Sequence, residues 1–252
     1  MNVVPRKSLG QHFLVDENIL GVIERLAELG PDDVVLEIGP GLGVLTRFLA
    51  ARVAHVHAVE LDRRLEAELA GIERTTLHWG DALRLDLASL APSPSKLVAN
   101  LPYNVATPIV AESLARTELL QWCVMVQREV ADRFFATPRT KAYGSVSVLV
   151  QLATRRTGFH PVSRDVFRPR PNVDSALVAF TRIGPGADAG VKRVVEAAFS
   201  HRRKTLANAL ALAGAASRER AVAALQEIGR GASVRAEELA PDEFVTLAEA
   251  LA

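Results

Sequence analysis

Apolar positions along the chain follow two rhythms, and the switches between them mark out elements. Short continuous apolar runs at Val34–Ile38, His55–Glu60, Thr75–Trp79, Lys96–Asn100 and 119–126 have the length of strands. By contrast, 19–29, 44–52, 105–116 and 128–136 carry apolar residues at helical spacing. Asp16 is suited to cap the first of these helices, and Gly30-Pro31 to end it. The next strand, its turn with glycines at 39, 41 and 43 and the helix beyond form the opening unit of a doubly wound α/β sheet. Residues 145–153 are apolar enough for a core as either helix or strand. Residues 154–161 and 174–182 read as an antiparallel pair, with a stiff basic loop at 166–171 between them. A linker at 184–190 follows, after which the period is helical at 191–199, 205–213, 217–228 and Pro241–Leu251. The expected organisation is an α/β sheet domain over 1–184 and a small all-α domain over 191–252.

Composition narrows the setting. A hydrophobic share of 49% against 23% charged suits a soluble globular protein, and 252 residues suffice for both cores. The one cysteine, Cys123, lies in an apolar run and reads as a small buried hydrophobe, so neither an intrachain disulfide nor a cysteine metal site is available. Residues 1–7 lack the apolar core of a signal peptide, and no run reaches membrane-spanning length. A reducing, cytoplasmic setting without a membrane partner is expected. The net charge of +1 hides an asymmetry. Residues 13–127 hold nine Lys/Arg against sixteen Asp/Glu, a balance of −7, whereas 128–204 hold fifteen against six, a balance of +9. Arginines interleaved with Phe134, Phe135, Phe159, Phe167 and His160 favour a polyanion as partner of the basic part. No metal-ligand cluster and no Ser/His/Asp or Cys/His triad is visible, so no metal is expected.

The chemistry centres on Asn100-Leu101-Pro102-Tyr103, at the end of an apolar run. Proline fixes its own φ and drives Leu101 towards an extended conformation, which turns the Leu101 carbonyl outward. An amide oxygen, a free carbonyl and an aromatic face together suit a flat ring carrying an exocyclic amine, such as adenine. Two acceptors would hold the amine hydrogens and aim the lone pair, and Tyr103 would stack on the base for about 1–3 kcal/mol. The alternative is a strand-ending turn with a packed tyrosine. Phe167, at the tip of the basic loop with Arg168 and Arg170, is either the second face of an aromatic sandwich around a flipped base or a phenylalanine returning to the core.

Upstream, Gly39 and Gly41 permit close approach of a small molecule, and carboxylates stand at successive strand ends. Glu37 suits an ammonium group, Glu60 a ribose diol and Asp81 an adenine amine. That set fits S-adenosylmethionine, which has no pyrophosphate. A dinucleotide keeps Glu60 for its ribose but usually wants G-x-G-x-x-G, whereas this turn is spaced G-x-G-x-G. Gln11, His12, Phe13 and Leu14 mix polar and apolar groups in a way that suits folding over a ligand, the alternative being a loose terminus. Arg202-Arg203-Lys204, between two helices, is a phosphate-contact cluster.

The chain resembles the KsgA-type ribosomal RNA adenine dimethyltransferases along nearly its whole length. The resemblance is carried by Ser8-Leu-Gly-Gln-His-Phe-Leu14, Glu37-Ile-Gly-Pro-Gly-Leu-Gly43, Val59-Glu-Leu-Asp62, Gly80-Asp-Ala82 and Asn100-Leu-Pro-Tyr-Asn104. It continues through Lys141-Ala-Tyr-Gly144, Val166-Phe-Arg-Pro-Arg-Pro171, Val173-Asp-Ser-Ala176 and Arg202-Arg-Lys-Thr205. It implies a class I methyltransferase sheet with a C-terminal helical domain. It also implies transfer of four methyl groups from S-adenosylmethionine to two adjacent adenines, in a hairpin loop near the 3′ end of small-subunit (16S) ribosomal RNA. By position, the donor site falls on His12, Leu14, Gly39, Glu60, Asp81 and Asn100, and the target-amine site on Asn100 to Tyr103, with Phe167 as base-stacking partner. Many relatives have Asn where this chain has His12; both side chains form hydrogen bonds. The expected partner is small-subunit RNA or a pre-30S particle, bound by a monomer. The competing readings are a large-subunit antibiotic-resistance methyltransferase, an adenine-specific DNA methyltransferase and a non-catalytic RNA-binding assembly factor.

Overall fold

The computed structural model describes residues 5–6, 9–116 and 118–252. Lys7 and Ser8, the start of the N-terminal motif, lie outside the described residues. The strands are β1 (Phe13–Leu14), β2 (Val34–Ile38), β3 (His55–Glu60), β4 (Thr75–Trp79), β5 (Lys96–Asn100), β6 (Gln121–Gln127), β7 (Thr154–Val162), β8 (Phe167–Arg168) and β9 (Ser175–Arg182). Seven of them form one sheet in the order β4-β3-β2-β5-β6-β9-β7, and β1 pairs with β8 in a second, two-stranded one. Strands β4, β3, β2, β5 and β6 run parallel, and β9 is antiparallel to β6. From β2 the chain builds outward through β3 to β4, then returns to lay β5 and β6 on the other side. The order therefore reverses between β2 and β5, and a crevice opens outside their carboxyl ends.

Local sequence explains the boundaries. Helix α1 (Glu17–Ala27) starts where the Asp16 carboxylate accepts from the Asn18 amide, and it buries Ile19, Leu20, Ile23 and Ala27. Helices α2 (Val44–Ala50), α3 (Glu66–Leu69) and α4 (Ala106–Ser113) complete the crossovers. On β6, Trp122 stands opposite Phe180 of β9 and stacks on it with ring centroids 5.3 Å apart. The Trp122 indole N–H donates to the Ser113 hydroxyl of α4, which satisfies a polar atom at full burial.

The chain divides into two compact units. The first runs to Ala131 and takes in Arg156–Arg182; the second comprises Asp132–Arg155 and Ile183–Ala252. The helical unit thus differs from the expected 191–252 by also including residues 132–155 and 183–190. Helix α5 (Arg128–Phe134) leads into it, and α6 (Ser145–Ala153) packs against α7 (Ala189–Ser200) and α10 (Pro241–Leu251). Six of the nine α6 residues are buried, and this all-round burial explains why the apolar run shows no clear period. Helices α8 (Leu206–Leu212) and α9 (Arg218–Glu227) complete the unit. Its polar fastening includes the Tyr143 hydroxyl, which donates to the Leu239 carbonyl at 2.8 Å. Among the described residues, no helix is long and apolar enough to cross a membrane.

Candidate active site

A cleft of about 1150 Å³, counting its open mouth, lies at the carboxyl ends of β2, β3 and β5. Glu37, Gly39, Gly41, Glu60 and Asp81 line it, as do His12 and Leu14 of the N-terminal segment and Asn100 to Tyr103. Three carboxylates, and no lysine or arginine among the described residues, face this space. Such a lining favours a cationic ligand over a pyrophosphate.

Glu37 is 1% exposed, and its Oε2 makes no hydrogen bond. Burial pushes its carboxyl up to about 8, and the neighbouring Glu60 adds to the shift. Glu60 is held by the backbone: Leu61 and Asp62 donate to Oε1 at 2.9 and 2.8 Å, and Gly41 donates to Oε2 at 3.2 Å. Burial raises its pKa while these amides oppose the rise. Asp62 is clamped by Arg64 and also accepts from the Gln11 side chain at 3.2 Å. Asp81 accepts from the Leu83 amide at 3.0 Å. Gly39 has φ 76°, which disfavours any side chain, and a Cβ there would sit 3.2 Å from the Pro102 ring, so the glycine turn packs tightly against the Asn100 turn.

Asn100 ends β5. Its Nδ2 donates to the His12 carbonyl at 3.0 Å, and its Oδ1 is buried with no protein partner. The Leu101 amide donates to the Met125 carbonyl at 3.1 Å, and Val105 donates to the Pro102 carbonyl, closing the turn. The half-buried Tyr103 hydroxyl is hydrogen-bonded to the fully buried Ser175 on β9, and burial raises the phenol pKa. The Tyr103 ring lies 5.3 Å from that of His12, tilted by 31°.

Phe167 is not a wall of this cleft. It is fully buried on β8, opposite Leu14, in the core cluster with Ile19, Ile23 and Val166. The expected aromatic sandwich is therefore corrected to the other reading: β1–β8 pairing turns the ring inward, where full burial favours it by about 1.5–3 kcal/mol. Arg168 and Arg170 on the same loop are exposed; the first donates to the carbonyls of Asp165 and Phe167, and the second pairs with Asp165 at 3.1 Å. Arg202 fastens the helical unit, donating to the Tyr143 carbonyl at 2.8 Å and pairing with Glu237 at 3.5 Å. Arg203 and Lys204 are exposed. Asp62 and Ser175 received no role from the sequence, and Gln11 only a place in the segment expected to fold over a ligand. Asp62 carries a signal nonetheless, since it caps the short 3-10 turn Arg63–Leu65.

The buried acceptors without partners and the glycine cradle fit a cationic nucleoside donor. The sheet order, glycine turn and acidic cleft define a class I methyltransferase. The family model for ribosomal RNA adenine dimethylase matches residues 3–252, and the chain belongs to that family. It is 47% identical to a protein of Rubrobacter xylanophilus named ribosomal RNA small subunit methyltransferase A, over 96% of this chain and 94% of that one. Among solved structures, it is similar to the 23S rRNA methyltransferase ErmE, with TM-score 0.64 and 29% identity over 95% of this chain and 99% of that one. A dimethyladenosine transferase from Plasmodium falciparum shares the fold, with TM-score 0.77 and 24% identity over 94% of this chain and 96% of that one.

Proposed function

We propose that this protein dimethylates the N6 amines of two adjacent adenines in a hairpin loop near the 3′ end of small-subunit ribosomal RNA. The proposed donor is S-adenosylmethionine, and the protein acts as a cytoplasmic monomer on the RNA or a pre-30S particle. The observation that carries this reading is the buried, unpartnered Asn100 Oδ1 in a cleft lined by three carboxylates. The small-subunit name of the Rubrobacter xylanophilus relative supports the choice of RNA.

When bound, S-adenosylmethionine supplies an electrophilic methyl on a sulfonium. Glu37 would hold its ammonium, Glu60 its ribose diol and Asp81 its adenine amine, and His12, Leu14, Gly39 and Gly41 line the same cavity. Asn100 Oδ1 and the Leu101 carbonyl accept the hydrogens of the target amine and aim its lone pair, and Tyr103 stacks on the base. These acceptors strengthen as positive charge develops on that nitrogen, whose proton becomes acidic only then. No strong general base is required. Outside the cleft, Arg168, Arg170, Arg203 and Lys204 meet RNA phosphates, and Arg202 holds the segment that carries the last two.

The deciding experiment incubates the protein with labelled donor and unmodified small subunits and maps methylated adenines by mass. Two dimethylated neighbours are expected. The likeness to ErmE supplies the competing outcome, methylation of large subunits, which the same assay detects when they replace small ones.

A further inference from the structure

We infer that the N-terminal strap carrying His12 fixes which way round the Asn100 carboxamide faces, and that His12 is a positioning residue for the acceptor amine. This rests on the adenine-methylating reading above. A carboxamide has two ends of similar size and opposite hydrogen-bonding sense. With its NH2 towards the target, Asn100 would oppose the hydrogens of an adenine amine; with Oδ1 towards it, Asn100 accepts one. The choice is made on the far side of the group. There the His12 carbonyl takes an Nδ2 hydrogen at 3.0 Å, and a flipped amide would bring two oxygens together instead. Oδ1 is left as the free end, on a residue that lines the cleft.

The carbonyl can select an orientation only if the strap is held still, and it is fastened on both sides. On the donor side, Gln11 Nε2 donates to Asp62, in the turn whose amides hold Glu60. On the acceptor side, Phe13 and Leu14 pair with Arg168 and Phe167, and the His12 Nδ1–H donates to the Pro169 carbonyl at 2.8 Å. The acceptor there is a carbonyl, so His12 carries its hydrogen on Nδ1. This specifies the geometry of a substitute. Asparagine places its amide nitrogen at the reach of Nδ1, whereas glutamine places its own at the reach of Nε2.

The test uses the full chain as parent, His12→Asn, His12→Gln and His12→Ala. Three quantities are measured: donor affinity by calorimetry, single-turnover methylation of unmodified small subunits at saturating donor, and exchange of the Asn100 side-chain NH2 protons by NMR without donor. His12→Asn should keep the rate within about twofold, while His12→Gln and His12→Ala lose about tenfold, the loss expected for one ordinary hydrogen bond. Because His12 also lines the donor cavity, donor affinity is measured separately, and saturating donor confines the loss of rate to the acceptor side. One Asn100 Nδ2 proton should be slow to exchange in the parent and His12→Asn, and fast in the other two. Equal rates for His12→Asn and His12→Gln, a loss confined to donor affinity, or an unprotected Asn100 amide in the parent would each overturn the inference. A parent that binds donor and protects that amide, yet methylates no small-subunit adenine, overturns the functional reading instead.

Discussion

Of the three buried side-chain oxygens without partners among the described residues, on Glu37, Thr46 and Asn100, the first and last line the cleft and set the terms at the scale of single residues. On the proposed mechanism, Asn100→Ala removes an acceptor from the place where charge develops. The methylation rate should fall by at least about a hundredfold with donor affinity changed only a few-fold, as single-turnover kinetics and calorimetry will report. Glu37 makes a prediction in pH. Its folded-state value of about 8 lies above the ordinary 4.5, so the folded protein keeps a proton that the unfolded chain has lost between those values. Stability therefore falls as pH rises through that window, and Glu37→Gln should flatten the fall in denaturation series. A cationic donor favours the charged carboxylate, so its affinity should rise by up to about tenfold per pH unit on approaching 8, with proton release on binding below it. Calorimetry in buffers of different ionisation enthalpy measures that release, and a pH-independent affinity would contradict the role given to Glu37. The residues of the cleft were legible because strand ends and glycine turns are local. Phe167 was not, because an aromatic beside basic residues serves a loop tip or a core equally well until the partner strand is known.

Among the elements, β9 acts at a distance from the cleft. Its Ser175 holds the Tyr103 hydroxyl, so Ser175→Ala and Tyr103→Phe should each slow methylation and combine less than additively, with a coupling of about 1 kcal/mol in a double-mutant cycle. Full additivity would mean that the two hydroxyls act separately. Gly39→Ala tests the seam between the β2 and β5 turns. The left-handed backbone costs about 1–2 kcal/mol with a side chain, and the new methyl meets Pro102. Both thermal stability and donor affinity should drop. Strands and helices followed from period and caps, whereas the Gln11–Asp62 and Tyr103–Ser175 contacts span 51 and 72 positions and leave no trace in spacing. The 145–153 run was ambiguous for a related reason, since burial on all sides erases periodicity.

For the whole molecule, residues 13–127 carry a balance of −7 and residues 128–204 one of +9, which is the basis for expecting a cationic ligand on the first and a polyanion on the second. Within Arg202-Arg203-Lys204 the roles divide. Arg203→Ala and Lys204→Ala should leave melting temperature unchanged, and each should reduce the salt slope of small-subunit binding by about 1. Arg202→Ala instead loses its bonds to Tyr143 and Glu237, which should cost about 1–2 kcal/mol of stability with a smaller effect on that slope. The helical unit also recruits its members from distant parts of the chain, with α6 packing against α7 and α10. During synthesis α6 leaves the ribosome well before α7 and α10, the helices that cover it. Nascent chains stalled before α10 should therefore be open to proteolysis at α6, so this unit closes only after its last covering helix has emerged.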